Sequence, residues 1–457
     1  MNAEIPWGNA TVSTRWNHLF TDKLFLNTTL VYSTYDFSFG AKLDNFELKL
    51  LSGITDWNAK TNLTWIPNTE HTVKTGFDYI RHKFRPGTFS AKIGAVNISP
   101  NDVAEQFAHE FAAYISDEWK PSERFSVQAG LRATAFMQVG PFKRYLKNEF
   151  DINTDTIVYG EGDNIVTYKH LEPRLAARFI LNEKSSIKAS FTQNYQYIHL
   201  ASISSGSMPT DLWVPSSELV KPQFGVQYAA GYFYNFADNT YETSVELYYK
   251  QYENQIEYKD GVTPGDNIGD NTDNAFVFGS GESYGAEFFI KKGSGRFTGW
   301  IGYTWSKTER TFPDINFGKT FPAKYDSRHD LSIVLNYDFT KRLNASVVFV
   351  YSTGNALTLP IGRYLVEGSI ISEYGARNGY RMPAYHRADL SATYLLKKGK
   401  FFESNLNFSV YNVYNRKNPY FIFFETEGTI QDGDLKTTAK QISLFPILPS
   451  ISWNFKF

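Results

Sequence analysis

The sequence predicts an all-β fold, an antiparallel transmembrane β-barrel with about 17 strands in this chain. Three observations predict it. Apolar and polar residues alternate with a period of two, short and long connections alternate along the chain, and aromatic residues make up 17% of a chain that is only 42% hydrophobic. A wall with rings on one face and polar groups on the other accounts for these features together.

The alternation is clearest in residues 331–339 and 343–351, where nearly every second residue is apolar. Successive side chains of a strand point to opposite faces, so the two sets lie on opposite sides of a sheet. The runs often last about ten to fourteen residues, which suits a tilted strand crossing a bilayer better than a soluble strand. We expect lipid on the apolar face and a hydrated interior on the polar face, with Leu331, Leu343 and Val347 outside and Ser332 and Asn344 inside.

The connections sort by length. Short turns are expected at 20–23, 67–70, 120–123, 181–184, 236–239, 291–295, 338–341 and 397–400, and long polar excursions near 39–52, 86–102, 139–168, 200–223, 258–275, 312–327, 355–383 and 427–438. Outer-membrane barrels have short periplasmic turns and long external loops, so the chain is expected in the outer membrane, in contact with its lipid. Rings toward the strand ends are expected to form interfacial girdles; they are Trp16, Trp57, Trp65, Trp119, Trp453, Tyr32, Tyr79, Tyr337 and Tyr351.

Charge and composition exclude several classes of protein. A net charge of -1 offers no basic face for a nucleic-acid partner. The chain has no cysteine, which excludes disulfides, thiolate zinc sites and cysteine nucleophiles. Its eight histidines are scattered without metal-binding spacing. Neither a cofactor nor an enzymatic activity is therefore expected.

Three segments resemble the TonB-dependent receptors of bacterial outer membranes. Residues 451–457 resemble the final strand of such barrels, whose aromatic residues are read by the barrel-assembly machinery; here these are Trp453, Phe455 and Phe457. Residues 412–420 resemble the N-L-F-D-K-x-Y stretch in the penultimate strand of the family. Residues 214–223 resemble the N-P-x-L-K-P-E segment, which leads from an external loop into a descending strand.

The resemblance implies a barrel of about 22 strands, filled by an N-terminal plug on which the periplasmic TonB protein pulls. Residues 1–457 are then expected to form a partial β-barrel domain, roughly strands six to twenty-two, with no counterpart of the plug, the TonB box or the first strands. The odd number of strands agrees with a partial barrel. With about 17 strands the first and the last both run toward the periplasm, so they cannot pair in antiparallel fashion to close a barrel. Segments such as residues 7–9, 54–58 and 421–424 are most similar to receptors from the Bacteroidetes group.

Candidate ligand contacts lie on external loops, where exposed aromatic and arginine side chains are common recognition groups. They are Trp213 in the loop 200–223 and, in the loop 355–383, Arg363, Tyr364, Tyr374, Arg377 and Tyr380. A Ca²⁺ site formed by Asp260, Asp266, Asp270 and Asp273 is considered, but their spacing is not that of an EF-hand and a solvated turn is favoured. Inward-facing charges are expected to pair with one another or with the plug; these are Arg132, Arg174, Arg178 and Glu172.

The expected function is active uptake of a scarce, bulky nutrient, such as a metal chelate, cofactor, oligosaccharide or peptide. The TonB complex would act through the plug, and a surface lipoprotein is a candidate partner. A passive outer-membrane porin is the alternative, and it would need a closed barrel with an even number of strands. A barrel enzyme would need a Ser/His/Asp cluster at loop level, and an adhesion barrel would bind a partner protein without uptake.

Overall fold

A computed structural model describes residues 2–4, 6–43, 46–93, 96–98, 105–148, 150, 152–201, 212–260, 262, 270–366, 369–399, 402–428 and 436–456. Phe457 of the expected assembly signal and Asp266 of the considered Ca²⁺ site lie outside these ranges. No helix in these ranges is long and apolar enough to cross a membrane.

Within the described ranges, seventeen long strands form one antiparallel sheet in which chain neighbours are sheet neighbours. The strands are β1 (Trp7–Thr21), β2 (Leu24–Leu43), β3 (Phe46–Trp65), β4 (His71–Ile93), β5 (Gln106–Ser122), β6 (Phe125–Val139), β7 (Asn164–Asn182), β8 (Ser185–Gln196), β9 (Gln223–Phe236), β10 (Tyr241–Tyr258), β11 (Phe276–Lys292), β12 (Phe297–Thr311), β13 (His329–Asp338), β14 (Leu343–Ser352), β15 (Tyr385–Lys398), β16 (Glu403–Tyr411) and β17 (Leu448–Lys456). Three short strands extend the sheet at its loop side, namely Asn2–Glu4, Val96–Ile98 and Phe321–Pro322.

The described loops hold five small hairpins and two short 3-10 helices. The hairpins are Phe142–Lys147 with Asn153–Tyr159, Ile198–Ala201 with Leu212–Pro215, Ala356–Leu357 with Tyr380–Arg381, Pro360–Val366 with Ser369–Tyr374, and Pro419–Glu427 with Lys436–Ser443. The 3-10 helices are Thr272–Ala275 and Asn316–Gly318.

The register places apolar residues opposite apolar residues from strand to strand. Leu331 faces Tyr351, and Leu335 faces Val347. Polar Asp338 faces Asn344 in the same ladder. Directly opposite residues share a face of the sheet, so one face is apolar across the wall and the other is polar, as the alternation predicts.

The polar face is the concave one. The hairpin of residues 198–215 contacts strands β3 and β4 at one end and β10 at the other. Strands this far apart in the wall can be bridged only from the concave side. The hairpin packs there through Leu212, which lies against Phe37 and Leu50. The buried apolar clusters therefore sit on the inner face at the level of the long loops, and the outer face is the one expected to contact lipid.

The short turns lie where the sequence predicts them, but two of the predicted long loops begin or end elsewhere. Every expected short turn lies where two consecutive strands meet. The expected excursion 39–52 is wrong, because Phe39 pairs with Leu50 and the β2–β3 ladder runs on to Leu43 and Phe46. Likewise β4 continues to Ile93 instead of ending near residue 86. These strands are longer than a bilayer requires, and pairing beyond the membrane satisfies their backbone groups.

The segment resembling the penultimate strand lies just beyond that strand. Strand β16 ends at Tyr411, and Asn412 and Asn415 adopt left-handed backbone conformations. The side-chain amide of Asn412 accepts a hydrogen bond from the backbone N–H of Arg416 at 3.0 Å and donates to its carbonyl at 2.9 Å. Asparagine tolerates positive φ and bonds to nearby backbone, so this segment forms a turn at the rim of the wall.

The two edges of the sheet each have a single neighbour. In the described ranges β1 pairs only with β2, and β17 pairs only with β16. Every residue of both strands is exposed. Strand β1 runs toward a short turn and β17 runs away from a long loop, so the two edges point the same way, in agreement with the parity of the sequence.

Candidate functional site on the loops and inner wall

A buried ion pair joins three of the external loops. Arg144, only 3% exposed, donates two hydrogen bonds to the carboxylate of Asp273 at 2.8 and 2.9 Å and a third to Glu218 at 3.2 Å. Ser217 Oγ donates to Asp273 at 2.5 Å. Burial opposes the charge on Arg144, but its contacts with Asp273 and then Glu218 raise the pKa of the guanidinium above its usual value. The loops following β6, β8 and β10 are thereby held together.

A second buried carboxylate holds the loop that follows β14. Glu257 lies near the end of β10 and is 2% exposed. It accepts hydrogen bonds from Arg310 of β12 at 2.6 Å and from Arg377 at 2.8 Å. Arg377 also donates to Asp260 at 3.1 Å. We call residues 257, 310 and 377 the loop clamp.

Charged residues line the inner wall below the loops. Asp78 is paired with Lys60 at 3.8 Å and with Arg132 at 3.4 Å. Glu172 continues the row, at 3.9 Å from Arg132 and 3.3 Å from Arg174. The predicted pairing of inner charges is therefore observed for Arg132, Arg174 and Glu172, while Arg178 is exposed near the short turn after β7.

A concavity of about 460 Å³ lies on the inner wall between β8 and β12. Five side-chain amides line it, those of Asn194, Gln196, Gln223, Gln227 and Gln255, together with the cation of Lys250 and the ring of Tyr252. We call it the amide pocket. The alternation of polar and apolar residues did not predict this pocket, although Asn and Gln occupy inward positions of the three consecutive strands β8, β9 and β10.

Glycines on both sides of Tyr252 shape this pocket. Gly225 lies opposite Tyr252 on β9, and Gly281 lies opposite it on β11. A Cβ atom at either glycine would be in contact with the ring, at 3.6 or 3.7 Å. The absence of side chains at both flanking positions leaves the sides of the ring uncovered toward the interior.

The predicted ligand contacts are distributed over separate loops. Trp213 is partly exposed on the face of its hairpin that carries Leu200, opposite the packed Leu212. Arg363 donates to Thr437 at 2.6 Å and so links two loop hairpins. Arg377 belongs to the loop clamp. The three tyrosines are well exposed; they are Tyr364, Tyr374 and Tyr380. Their roles in ligand binding stay predictions.

One of these tyrosines carries a local bond. The hydroxyl of Tyr364 donates to Glu373 on the facing strand of its hairpin. This hydrogen bond, reinforced by the negative charge of Glu373, raises the pKa of Tyr364.

The carboxylates considered for Ca²⁺ have partners within the chain. Asp273 binds Arg144, Asp270 pairs with Lys147, and Asp260 pairs with Arg377. In the described ranges no group of three or more His, Cys, Asp or Glu side chains is arranged to hold a metal ion. These aspartates therefore act in ion pairs between loops.

A Ser–His pair occurs at loop level, as a barrel enzyme would require. His199 Nε2 lies 2.9 Å from Ser216 Oγ, and both residues are completely buried. His199 Nδ1 has no hydrogen-bond partner among the described residues. A catalytic histidine is oriented by a third group and its serine must reach a substrate. This pair meets neither condition and packs the base of the loops.

The predicted assembly signal is at the free edge of the wall. Trp453 and Phe455 lie on the outer face of β17, where they are 64% and 55% exposed. Trp453 donates a hydrogen bond from its ring nitrogen to Ser404 at 2.7 Å. Recognition of these rings by the assembly machinery stays a prediction.

The fold is shared with known outer-membrane receptors. The ferric-catecholate import receptor Fiu from E. coli K12, in its closed form, has 16% identity and a TM-score of 0.59 over 99% of this chain and 64% of its own. The ferric yersiniabactin uptake receptor FyuA from Yersinia pestis has 12% identity and a TM-score of 0.62 over 99% of this chain and 61% of its own. The ferripyoverdine receptor of the outer membrane of Pseudomonas aeruginosa has 15% identity and a TM-score of 0.61 over 98% and 56%.

This chain thus spans about three fifths of the length of these receptors. No curated protein matches it. A family profile described as "TonB dependent receptor-like, beta-barrel" matches residues 4–415. Because that match covers most of the chain, the protein belongs to the TonB-dependent receptor β-barrel family, and the family, fold and outer-membrane location predicted from the sequence are confirmed.

Proposed function

We propose that this chain is part of the wall of a TonB-dependent transporter that imports a scarce, bulky nutrient across the outer membrane. The observation that carries the proposal is a polar concave wall covered at its outer end by loops that buried ion pairs hold together. Such a wall offers a docking surface outside and a hydrated route inside. Metal chelates, cofactors, oligosaccharides and peptides are the nutrient classes considered.

The open edges favour this transporter over the passive porin. A porin of this chain alone would have to join β1 to β17, but both strands run in the same direction. Unpaired backbone groups at a lipid-exposed edge cost several kcal/mol each. We propose that an odd number of further strands closes the wall, and that a plug within it engages TonB.

Uptake in living cells tests the proposal. A strain lacking the natural full-length protein is compared with one that expresses it, each with and without TonB, on single nutrients from the four classes. The proposal expects one nutrient whose uptake needs both the protein and TonB and stops when the proton gradient is collapsed. Uptake that persists without TonB would establish the porin instead.

A further inference from the structure

The amide pocket is rich in hydrogen-bond donors. Arg174 donates to Asn194 Oδ1 at 2.7 Å, and because a guanidinium has no acceptor, the NH₂ group of Asn194 is left for other partners. Gln255 donates to Gln223 Oε1 at 3.0 Å, which likewise leaves the NH₂ group of Gln223. Gln227 lies on the same face of β9 as Gln223, four residues further along the strand and opposite Lys250. Asn194 and Gln223 therefore present donors to the pocket, whereas Gln196, which donates to the carbonyl of Ile198 at 2.5 Å, presents its acceptor oxygen.

The pocket also contains one cation without a carboxylate partner. Lys250 Nζ lies 5.0 Å from the centre of the Tyr248 ring, and no carboxylate of the described residues is within ion-pairing distance of it. The nearby guanidiniums are different, because Arg310 is paired with Glu257 and Arg174 with Glu172. The carboxylate in the lining, Glu309, is paired with Lys307, so Lys250 is the uncompensated charge among the described residues of the lining.

We propose that the amide pocket binds a carboxylate group of the transported ligand. Lys250 would pair with the carboxylate, and the NH₂ groups of Asn194, Gln223 and Gln227 would donate to it and to neighbouring acceptor oxygens. The single positive charge of Lys250, surrounded by neutral hydrogen-bond donors, is complementary to an anionic group that carries one negative charge, such as a carboxylate. A phosphate carries more charge and is usually held by bidentate arginine, and the two arginines here are committed to glutamates. The inference rests on the proposed function, because it names a feature of the nutrient that passes this wall.

Binding of matched sugars to the purified natural full-length protein in detergent tests the proposal. Glucuronate and glucose differ at one carbon, which is a carboxylate in the first and a hydroxymethyl group in the second. We expect saturation-transfer NMR signals from glucuronate and none from glucose at the same concentration. Lys250→Gln should weaken glucuronate binding about tenfold, the usual size of one charge-assisted hydrogen bond, whereas Lys250→Arg should retain it.

Lys188→Gln is the matched control. Lys188 also faces the interior, on β8, but near the short turn and over the Phe233 ring, so its loss should leave binding unchanged. Equal signals from glucose and glucuronate, or unchanged binding in Lys250→Gln, would overturn the carboxylate subsite. Inorganic phosphate that displaces glucuronate at equal concentration would overturn the choice of a carboxylate.

The two proposals can fail separately. TonB-dependent uptake that is unaffected by Lys250→Gln removes the subsite and leaves the transporter. Glucuronate binding that depends on Lys250, in a protein whose uptake does not need TonB, leaves the subsite and removes the transporter.

Discussion

Single buried carboxylates set the arrangement of the external loops. Glu257 satisfies two guanidiniums, and Asp273 accepts from Arg144 and Ser217. Each carboxylate comes from a different strand or connection than the arginines that it binds. The sequence indicated that Arg377 and Asp273 lie in loops, but their partners could not be predicted, because pairing across about 120 residues depends on how separate loops pack.

Removing the charge of Glu257 tests the loop clamp. In Glu257→Gln two guanidiniums lose their shared carboxylate, and breaking a buried pair in this way costs about 3 kcal/mol. We expect the amides of residues 376–380 to lose a corresponding part of their protection against hydrogen exchange. Glu253→Gln is the control, because Glu253 lies on the same strand but is exposed. Equal protection in both variants would contradict the role of the clamp.

His199 makes the base of the loops sensitive to acid. Burial lowers its pKa from 6.5 to about 4, so between these values the unfolded segment binds a proton that the folded segment excludes. The contribution of neutral His199 to the free energy of unfolding is present above pH 6.5 and is lost as the pH falls toward 4. In total it amounts to about 3 kcal/mol. Protection factors of the hairpin 198–215 should fall over this range.

His199→Gln supplies the comparison for this pH dependence. Glutamine does not titrate, so its hairpin should show a flat profile between pH 6.5 and 4. A decline as steep as that of the unsubstituted protein would assign the pH dependence to another group.

At the scale of elements, the hairpin of Ile198–Ala201 with Leu212–Pro215 packs against the inner face of β3, β4 and β10. Leu212 enters a site made by Phe37 and Leu50, and Gly87 leaves room for it, since a Cβ there would lie 2.6 Å from Leu212 Cδ1. The sequence predicted a long loop here but no inward fold. The sequence of this loop has no periodic pattern of apolar residues. It therefore could not predict that Leu212 packs against strands more than a hundred residues earlier in the chain.

Leu212→Ala should release this hairpin from β3 and β4. Truncation of a buried leucine costs about 2–5 kcal/mol, enough to expose the hairpin to protease by local unfolding. We expect faster cleavage within residues 198–216 and unchanged cleavage elsewhere. Leu200→Ala is the matched control, because Leu200 lies on the opposite face of the same hairpin and is 40% exposed. Similar cleavage of both variants would show that the Leu212 contact does not hold the hairpin.

At the scale of the whole molecule, strand number and order could be predicted and the extent of the strands could not. The alternation of apolar and polar residues and the alternation of short and long connections recur in every pair of strands. A misplaced boundary in one pair therefore does not change the predicted number of strands. Strands such as β2 and β3 continue past the membrane because their ladder remains paired. The change to more polar residues indicates where a strand leaves the membrane, but it does not indicate where the strand ends.

A row of serines tests the order of the last four strands. Ser346, Ser391, Ser409 and Ser450 lie opposite one another in successive ladders from β14 to β17. The chain has no cysteine, so engineered pairs have no competing thiol. Ser346→Cys with Ser391→Cys, and Ser409→Cys with Ser450→Cys, should cross-link on oxidation. Ser346→Cys with Ser450→Cys should not, and a cross-link there would refute this order.

The same row leaves a shallow band on the inner face of the wall. Serine is among the shortest polar side chains, and here its hydroxyls bond sideways to one another, at 2.6 Å between Ser346 and Ser391 and 2.7 Å between Ser409 and Ser450. On the opposite flank, around Arg132 and Glu172, long charged groups project from the wall. At the level of these four serines the inner face therefore carries only short side chains, whereas Arg387 and Tyr411 project from the same strands closer to the long loops.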